Sequence, residues 1–319
     1  MLFPFAEYWW FYIGFTAFVL VMLAVDLGVF HRKAHEVTMR EAARWSVVWV
    51  ALSLLFNVAL YRYAAEMFAP EVARQVALEF LAGYVVEYTL SVDNMFVFVV
   101  IFSFFSVPSA LQHRVLFYGI LGALIFRAIF IALGSVLLSY HAVVILFGIV
   151  LIFTGARLLF HDSAPANPER NLLVRLTRRL MPVTPDFHGT HFFTTIDGRR
   201  HATPLLLALL AIEMSDIVFA IDSVPAIFAL TKEPLIVFTS NIFAILGLRS
   251  LYFVLAAAVA RFSLLRFGLA GVLIFIGLKM TWLNPFPITW SLAIIAALVA
   301  GSIVASLVAD RTRSKDRIG

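Results

Sequence analysis

The chain has 319 residues, of which 62% are hydrophobic and only 13% are charged. An ordinary soluble domain carries about 25% charged residues, and the mean hydropathy here is +0.97. This composition excludes a soluble globular protein, whose interior cannot hide so much apolar surface, and it excludes a disordered chain. The net charge is +5, and the absence of cysteine rules out disulfides and thiolate metal sites. We therefore predict a polytopic membrane protein.

Nine apolar stretches are long enough to cross a hydrocarbon core about 30 Å thick. They occupy residues 8–30, 43–61, 77–101, 115–137, 141–160, 204–230, 235–259, 264–282 and 288–309. With the N-terminus outside, seventeen Lys and Arg residues fall in cytoplasmic segments and only three in outer segments, as the positive-inside rule requires. We expect an all-α fold of about nine transmembrane helices, with the N-terminus out and the C-terminus in.

The segment 161–203 is the only sizeable polar part of the chain. Apolar and basic residues alternate from 171 to 180, which suggests a short amphipathic helix on the membrane surface. Asp197-Gly198 lies between β-forming residues and predicts a hairpin turn. The simpler interpretation, a structured linker between two halves of the protein, is the one that we favour.

An internal repeat joins the two halves. Residues 150–157 match residues 272–279 at an offset of 122, and at the same offset Arg127 matches Arg249. At an offset of 129, seven residues longer than the first, Glu87 and Asp93 match Asp216 and Asp222. Each predicted unit has three helices, so the second unit enters the membrane from the opposite side, as in the inverted repeats of many secondary transporters.

We accordingly divide the chain into five parts. Residues 1–76 hold two N-terminal helices and 77–160 form the first unit. Residues 161–203 form a cytoplasmic loop, 204–283 form the second unit, and 284–319 hold the last helix with a basic tail. We interpret the basic tail as a topology signal rather than a nucleic-acid-binding arm.

Six acidic residues lie in predicted helices and dominate the candidate site: Asp26, Glu87, Asp93, Glu213, Asp216 and Asp222. Ionisable groups at membrane depth are costly and usually functional. Arg127 and Arg249 supply only two compensating charges. Bound cations, protons or water must offset the remainder.

Neutral oxygen donors lie close to these acids in the sequence. Glu87, Ser91 and Asn94 share one helical face, and Ser223 and Asn241 add two more donors. Either the acids of each helix face a wide interior, or the helices unwind near Ser91 and near Pro225. Because the eight histidines fall in loops or at helix ends, the ligands are oxygen atoms, which suit Mg, Ca and Mn.

Structural roles compete with these functional ones. The buried acids can pair with Arg127 and Arg249 merely as bridges, and Asp26 can simply cap the end of its helix. We interpret Glu79 as interfacial. We expect Lys279 and Arg157 to extend their charged groups towards the interface, and we assign neither a function.

Three motifs resemble those of the TerC family of membrane proteins. They are the run from Glu87 to Asn94, the run from Glu213 to Ile227, and the run from Thr239 to Arg249, with Asp26-Leu27-Gly28 before a basic loop. Length and loop pattern are most similar to the Alx-type members. The resemblance covers nearly the whole chain and implies a bacterial inner-membrane protein of the LysE-like transporter group. It also implies manganese export, alkaline-pH response and metal supply to exported enzymes; other members are linked to tellurite resistance.

Our leading hypothesis is a secondary transporter that exports Mn²⁺, with exchange for protons as one form of coupling. The metal would bind at the membrane midplane, with Mn²⁺ as substrate and with no resident cofactor, nucleic acid or enzymatic activity. Glu87, Asp93, Asn94, Glu213, Asp216, Asp222 and Asn241 are the predicted metal ligands. Arg127 and Arg249 balance charge, and Asp26, Ser91 and Ser223 are secondary candidates. The alternative is a membrane scaffold that recruits soluble partners through residues 161–203 without transport.

Overall fold

A computed structural model describes residues 2–25, 38–138, 140–160, 171–256, 264–283 and 286–315. Within these ranges, the side chains of residues 93, 96 and 310–315 lie outside the description. The fold is helical apart from one small hairpin. The helices before the hairpin are α1 Phe5–Val25, α2 Met39–Met67, α3 Pro70–Phe104, α4 Ser109–Leu137, α5 His141–Phe160 and α6 Leu172–Leu180. Those after it are α7 Pro204–Phe228, α8 Pro234–Leu246, α9 Leu248–Ala256, α10 Leu265–Thr281 and α11 Ile288–Lys315.

The hairpin is present where Asp197-Gly198 predicted it. Strands β1 (Phe193–Ile196) and β2 (Arg199–Ala202) pair antiparallel, with Ile196 opposite Arg199. Asp197 and Gly198 have φ values of 50° and 73°, the positive angles that a two-residue hairpin turn needs. The predicted amphipathic segment also forms a helix, α6.

Local sequence explains where the long helices begin. Pro70, Pro204 and Pro234 each stand in the first turn of α3, α7 and α8, where the missing proline N–H leaves no hydrogen bond unmade. Thr38 caps α2, because its hydroxyl accepts from the Glu41 N–H at 3.3 Å.

Seven helices among the described residues are long and apolar enough to cross a membrane, or eight if α8 and α9 form one span bent by 42°. The expected count of nine is not reached in this part of the chain, because α10 has only 17 residues. Of the two alternatives for these helices, the breaks near Ser91 and Pro225 are absent: α3 and α7 are continuous, and Pro225 stands in the last turn of α7. The interruption instead falls at Gly247, between α8 and α9.

Helices α3, α7 and α8 form the centre of the bundle. In an 18-residue apolar stretch of each candidate span, the buried share is 56% in α3 and 39% in α7. It is 22% or less in the other candidate spans. Every residue of α8 from Leu235 to Leu246 is buried. The outer helices instead expose large apolar side chains such as Leu55, Ile125, Phe153 and Val304, which a lipid environment accommodates without cost.

Helices α5 and α10 pack closely through glycines. A Cβ atom at Gly277 would lie 2.6 Å from the Gly148 carbonyl oxygen, and one at Gly155 would lie 2.8 Å from the Ala270 carbonyl oxygen. The residue numbers rise along α5 as they fall along α10, so the two helices run antiparallel. Side chains larger than hydrogen would separate their backbones.

Candidate functional site

The centre of the site is a buried ion pair between α3 and α4. Arg127 donates from Nη1 to Glu87 Oε1, and the two side chains are 1% and 0% exposed. Ser91, one turn along α3, donates to the same carboxylate oxygen at 3.2 Å. A buried carboxylate requires such compensation in a medium that solvates charge poorly. The predicted sharing of a face by Glu87 and Ser91 is confirmed.

Asn241 joins this pair to the second predicted unit. Its Oδ1 accepts from Arg127 Nη1 at 2.7 Å, and its Nδ2 donates to Glu87 Oε2 at 3.3 Å. Ser223 on α7 accepts from the same guanidinium nitrogen at 3.4 Å. Four helices, α3, α4, α7 and α8, therefore contribute to one polar cluster, which we call the central cluster: Glu87, Ser91, Arg127, Ser223 and Asn241.

Asp216 lies beside the central cluster and differs from Glu87 in its surroundings. It is 6% exposed and interacts electrostatically with Arg127 and with Glu87. Its Oδ1 atom is buried and has no hydrogen-bond partner among the described atoms. A carboxylate oxygen in this position is available to a ligand.

A small cavity borders Asp216. It has a volume of about 20 Å³ and is lined by Asp216, Arg249 and apolar residues of α3, α4, α7, α8 and α9, with Gly119 of α4 among them. This volume accommodates roughly one water-sized species. Gly119 matches Asn241 at the repeat offset of 122. The amide that completes the central cluster thus has no counterpart beside Asp216, and the absence of a side chain at Gly119 leaves space there.

The remaining acids do not join the central cluster directly. Glu213, half buried, points at α4, where a Cβ on Gly122 would lie 2.1 Å from its carboxylate oxygens. Its Oε2 atom also lacks a hydrogen-bond partner among the described residues. Asp222 is half buried and has Thr154 of α5 as a hydrogen-bonding neighbour. Asn94 is buried, at 5% exposure.

Two predicted residues cannot be placed. Asp26 and the side chain of Asp93 lie outside the described part of the structure. Within the described part, no three His, Asp or Glu side chains come together as metal ligands. The gathering of five acids around one metal ion therefore stays a prediction.

A second buried polar cluster was missed by the sequence interpretation. It lies at the predicted outer end of the bundle, where α2 meets α3 and α7 meets α8. Glu79, taken as interfacial, is only 7% exposed and accepts hydrogen bonds from Thr231 and from Gln75. Glu233, 8% exposed, accepts from the Phe3 N–H at 3.2 Å. The available signal was spacing, because Glu79 lies two helical turns before Glu87 on α3.

Lys279 was also misjudged. We expected its ammonium group to reach the interface, but the residue is 7% exposed and interacts electrostatically with Glu79. The predicted outer end thus holds three buried charged residues, Glu79, Glu233 and Lys279. The cavity beside Asp216 is lined by Phe98, near the last residues of α3, and by Leu116, near the first residues of α4. It therefore lies on the side of the central cluster that faces away from the predicted outer end.

Comparisons with known proteins agree with this fold. The chain is 54% identical over 301 residues to an uncharacterized membrane protein of Myxococcus xanthus, covering 93% of this chain and 92% of the relative. It is 44% identical over 310 residues to the Escherichia coli K12 protein Alx, covering 96% and 97%, and the name of that protein describes it provisionally as a membrane-bound redox modulator. An uncharacterized membrane protein of Rickettsia bellii is 37% identical over 270 residues, covering 84% and 87%.

No solved structure matches the chain. The family model described as "Integral membrane protein TerC family" matches residues 72–314, which include the central cluster, the cavity and the predicted outer end. With this match and with relatives that align over almost its whole length, the chain belongs to the TerC family of integral membrane proteins.

Proposed function

We propose that this protein is a secondary transporter that exports Mn²⁺ across the bacterial inner membrane, in exchange for protons. The observation that carries the proposal is Asp216, a buried carboxylate with an oxygen left without a hydrogen bond, beside a cavity of about 20 Å³. Buried carboxylates that serve only structure have their hydrogen bonds satisfied. Carboxylate and amide oxygens also suit Mn²⁺ better than they suit copper or zinc.

Electrostatics support a cationic substrate at this position. Arg127 compensates Glu87 directly, and Asn241 completes the polar contacts of both side chains. Asp216 and Glu213 bring two further carboxyl groups into the same region. A cation or protons bound here offset the charge that the arginines leave uncompensated.

We infer further that the two predicted units are related by an inverted repeat, with nine spans, the N-terminus outside and the C-terminus in the cytoplasm. Reciprocal contacts support the inverted repeat. At the offset of 122, Gly148, Ile152 and Gly155 of α5 match Ala270, Ile274 and Gly277 of α10. A Cβ at Gly277 would meet Gly148 and Ile152. In the same way, a Cβ at Gly155 would meet Ala270 and Ile274. An exchange of partners of this kind is what a two-fold axis produces.

The helix pairs follow the same relation. Helix α3 packs on α8, and α4 packs on α7; the first helix of each unit thus contacts the second helix of the other. An axis in the membrane plane between two such units permits alternating access around a midplane site, by rocking of one unit against the other.

Transport is tested with purified protein in sealed vesicles that contain a metal-sensitive dye. Flux of Mn²⁺, Mg²⁺, Ca²⁺ and Zn²⁺ is compared with and without a pH gradient, for the wild type, Asp216→Asn and the control Glu66→Gln. Glu66 is an exposed acid on α2. We expect Mn²⁺ flux in the wild type and in Glu66→Gln, and its loss in Asp216→Asn.

Absence of flux for every metal, from protein that remains folded, would refute the transporter and favour the scaffold. The relative's name raises a redox role as well. Because the chain has no cysteine, a redox effect of this protein would not operate through thiols of its own.

A further inference from the structure

The short helix α6 presents three different sides. One side packs on α7, where Val174 is 1% exposed. Asn171 caps the helix, because its Oδ1 accepts from the Leu173 N–H at 3.0 Å and from the Val174 N–H at 3.3 Å. The helix is therefore a fixed element with two sides that are not packed on α7.

The position of α6 relative to the bilayer follows from its connections. Just after the helix, Pro182 accepts a backbone hydrogen bond from Ala202 at 2.9 Å, and Thr184 donates one to Ala202 at 2.9 Å. Two residues later Pro204 begins α7, a candidate membrane span. The chain after α6 is thus tied to the point where a span begins, which holds α6 near the membrane boundary.

The second side of α6 is an apolar stripe. Leu172, Leu176 and Leu180 recur every four residues and so share one face. They are 58%, 47% and 75% exposed, so the described part of the protein leaves much of this face uncovered. A contiguous apolar face in this position indicates contact with a membrane or with another protein.

The third side is basic and lies between the stripe and the side that packs on α7. Arg175, Arg178 and Arg179 are all exposed, as are Arg199 and Arg200 on the adjoining hairpin. The described part of the segment, residues 171–203, holds only two acids, Asp186 and Asp197. A leucine stripe with arginines along its edge matches the interface between acyl chains and anionic headgroups.

We propose that α6 binds the membrane surface at this end of the bundle. Its leucine stripe inserts between acyl chains, and its arginines contact the phosphates of anionic phospholipids. A bilayer is favoured over a protein partner as the occupant because α6 is tied to the start of a membrane span and because its charge complements anionic lipid. The inference depends on the membrane location of the chain and is independent of what it transports.

The absence of cysteine makes the test direct, because a single introduced cysteine carries the only label. Leu176→Cys places a nitroxide on the stripe, and Arg178→Cys places one on the opposite face as a matched control. Each protein is reconstituted in vesicles of phosphatidylcholine with phosphatidylglycerol. Electron paramagnetic resonance then compares the access of oxygen, which enriches in lipid, with that of a water-soluble nickel chelate.

We expect the label at position 176 to favour oxygen and the label at position 178 to favour nickel. Preference for nickel at both positions would place α6 in water, and exclusion of both reagents from position 176 would show a protein cover; either result overturns the proposal. Replacing Arg175, Arg178 and Arg179 by Gln in the Leu176→Cys protein should lower the access of oxygen to its label and raise that of the nickel chelate. Removing phosphatidylglycerol from the vesicles should have the same effect. An unchanged label in both cases would refute the role of anionic lipid.

Discussion

The two predicted units contain matching charges but surround them differently. In the first unit, Glu87 and Arg127 are paired, and Asn241 from the second unit completes their hydrogen bonds. In the second unit, Asp216 and Arg249 line a cavity, and the position equivalent to Asn241 is Gly119. One missing amide side chain therefore separates a filled polar cluster from one that has room for a ligand.

In our proposal, this difference is how a repeated sequence produces a binding site on one side only. The charged residues are duplicated, but the neutral residue that fills the space between them is not. We expect the first unit to contribute rigidity and the second to contribute binding. Three predictions test this comparison of the two units, in order of their expected effect on the free energy of unfolding.

Arg127→Met should have the largest effect. It leaves the Glu87 carboxylate buried without compensation, a change that costs about 3–5 kcal/mol in comparable buried pairs. Arg249→Met is the matched control and should cost less, because the cavity beside Asp216 has room for a water molecule. Unfolding in detergent, followed by circular dichroism, measures both. An equal or greater loss for Arg249→Met would contradict the assignment of rigidity to the first unit.

The glycines of α5 and α10 test whether the units are alike elsewhere. A Cβ at Gly155 or at Gly277 would lie under 3.0 Å from backbone oxygen of the facing helix, and overpacking of this kind costs about 1–3 kcal/mol. We expect Gly155→Ala and Gly277→Ala to destabilise the protein by similar amounts. Gly14→Ala and Gly301→Ala are controls that should not lower stability, because among the described residues no atom beyond the local turn of the helix lies within 4 Å of the new Cβ. Clearly unequal losses at positions 155 and 277 would argue against a two-fold relation.

Gly119→Asn should change stability least and transport most. A Cβ at this position meets Ile212 at 3.4 Å, an ordinary contact, so the position can accept a β-carbon. The added amide should occupy the space beside Asp216 as Asn241 occupies the space beside Glu87. We expect unfolding close to that of the wild type together with loss of Mn²⁺ flux in vesicles, whereas Gly119→Ala should retain part of the flux. Full flux in a folded Gly119→Asn protein would exclude this cavity from the transport route.

The sequence predicted much of the fold, because hydropathy and charge bias act locally and over long stretches. Each of the nine predicted stretches overlaps a described helix, although the seventh divides into α8 and α9 and only seven or eight spans in the described part are long enough to cross a membrane. Pro225 suggested a break in α7, but α7 continues past it to Phe228, so the one backbone hydrogen bond that this proline removes does not interrupt the helix. The bend at Gly247 had no strong local signal, because one glycine in an apolar run is common in membrane helices.

The candidate site was predictable in composition but not in pairing. Glu87, Arg127 and Asn241 were all candidates, yet their mutual contacts depend on how α3, α4 and α8 pack, which no spacing within one helix specifies. The structural bridge that competed with a functional role is present at Glu87, whereas Asp216 lacks one partner. Glu79 and Lys279 were misread because proximity to a helix end does not reveal that Thr231 and the N-terminal residues cover that end.

The glycine contact between α5 and α10 also has a mechanical consequence. Where two backbones touch, as at Gly148 and Gly277, neither helix can slide past the other without steric overlap, and no side chain is present to adjust. In the rocking motion that we propose, α5 and α10 therefore stay together as one rigid pair, and the two units turn against each other at this contact.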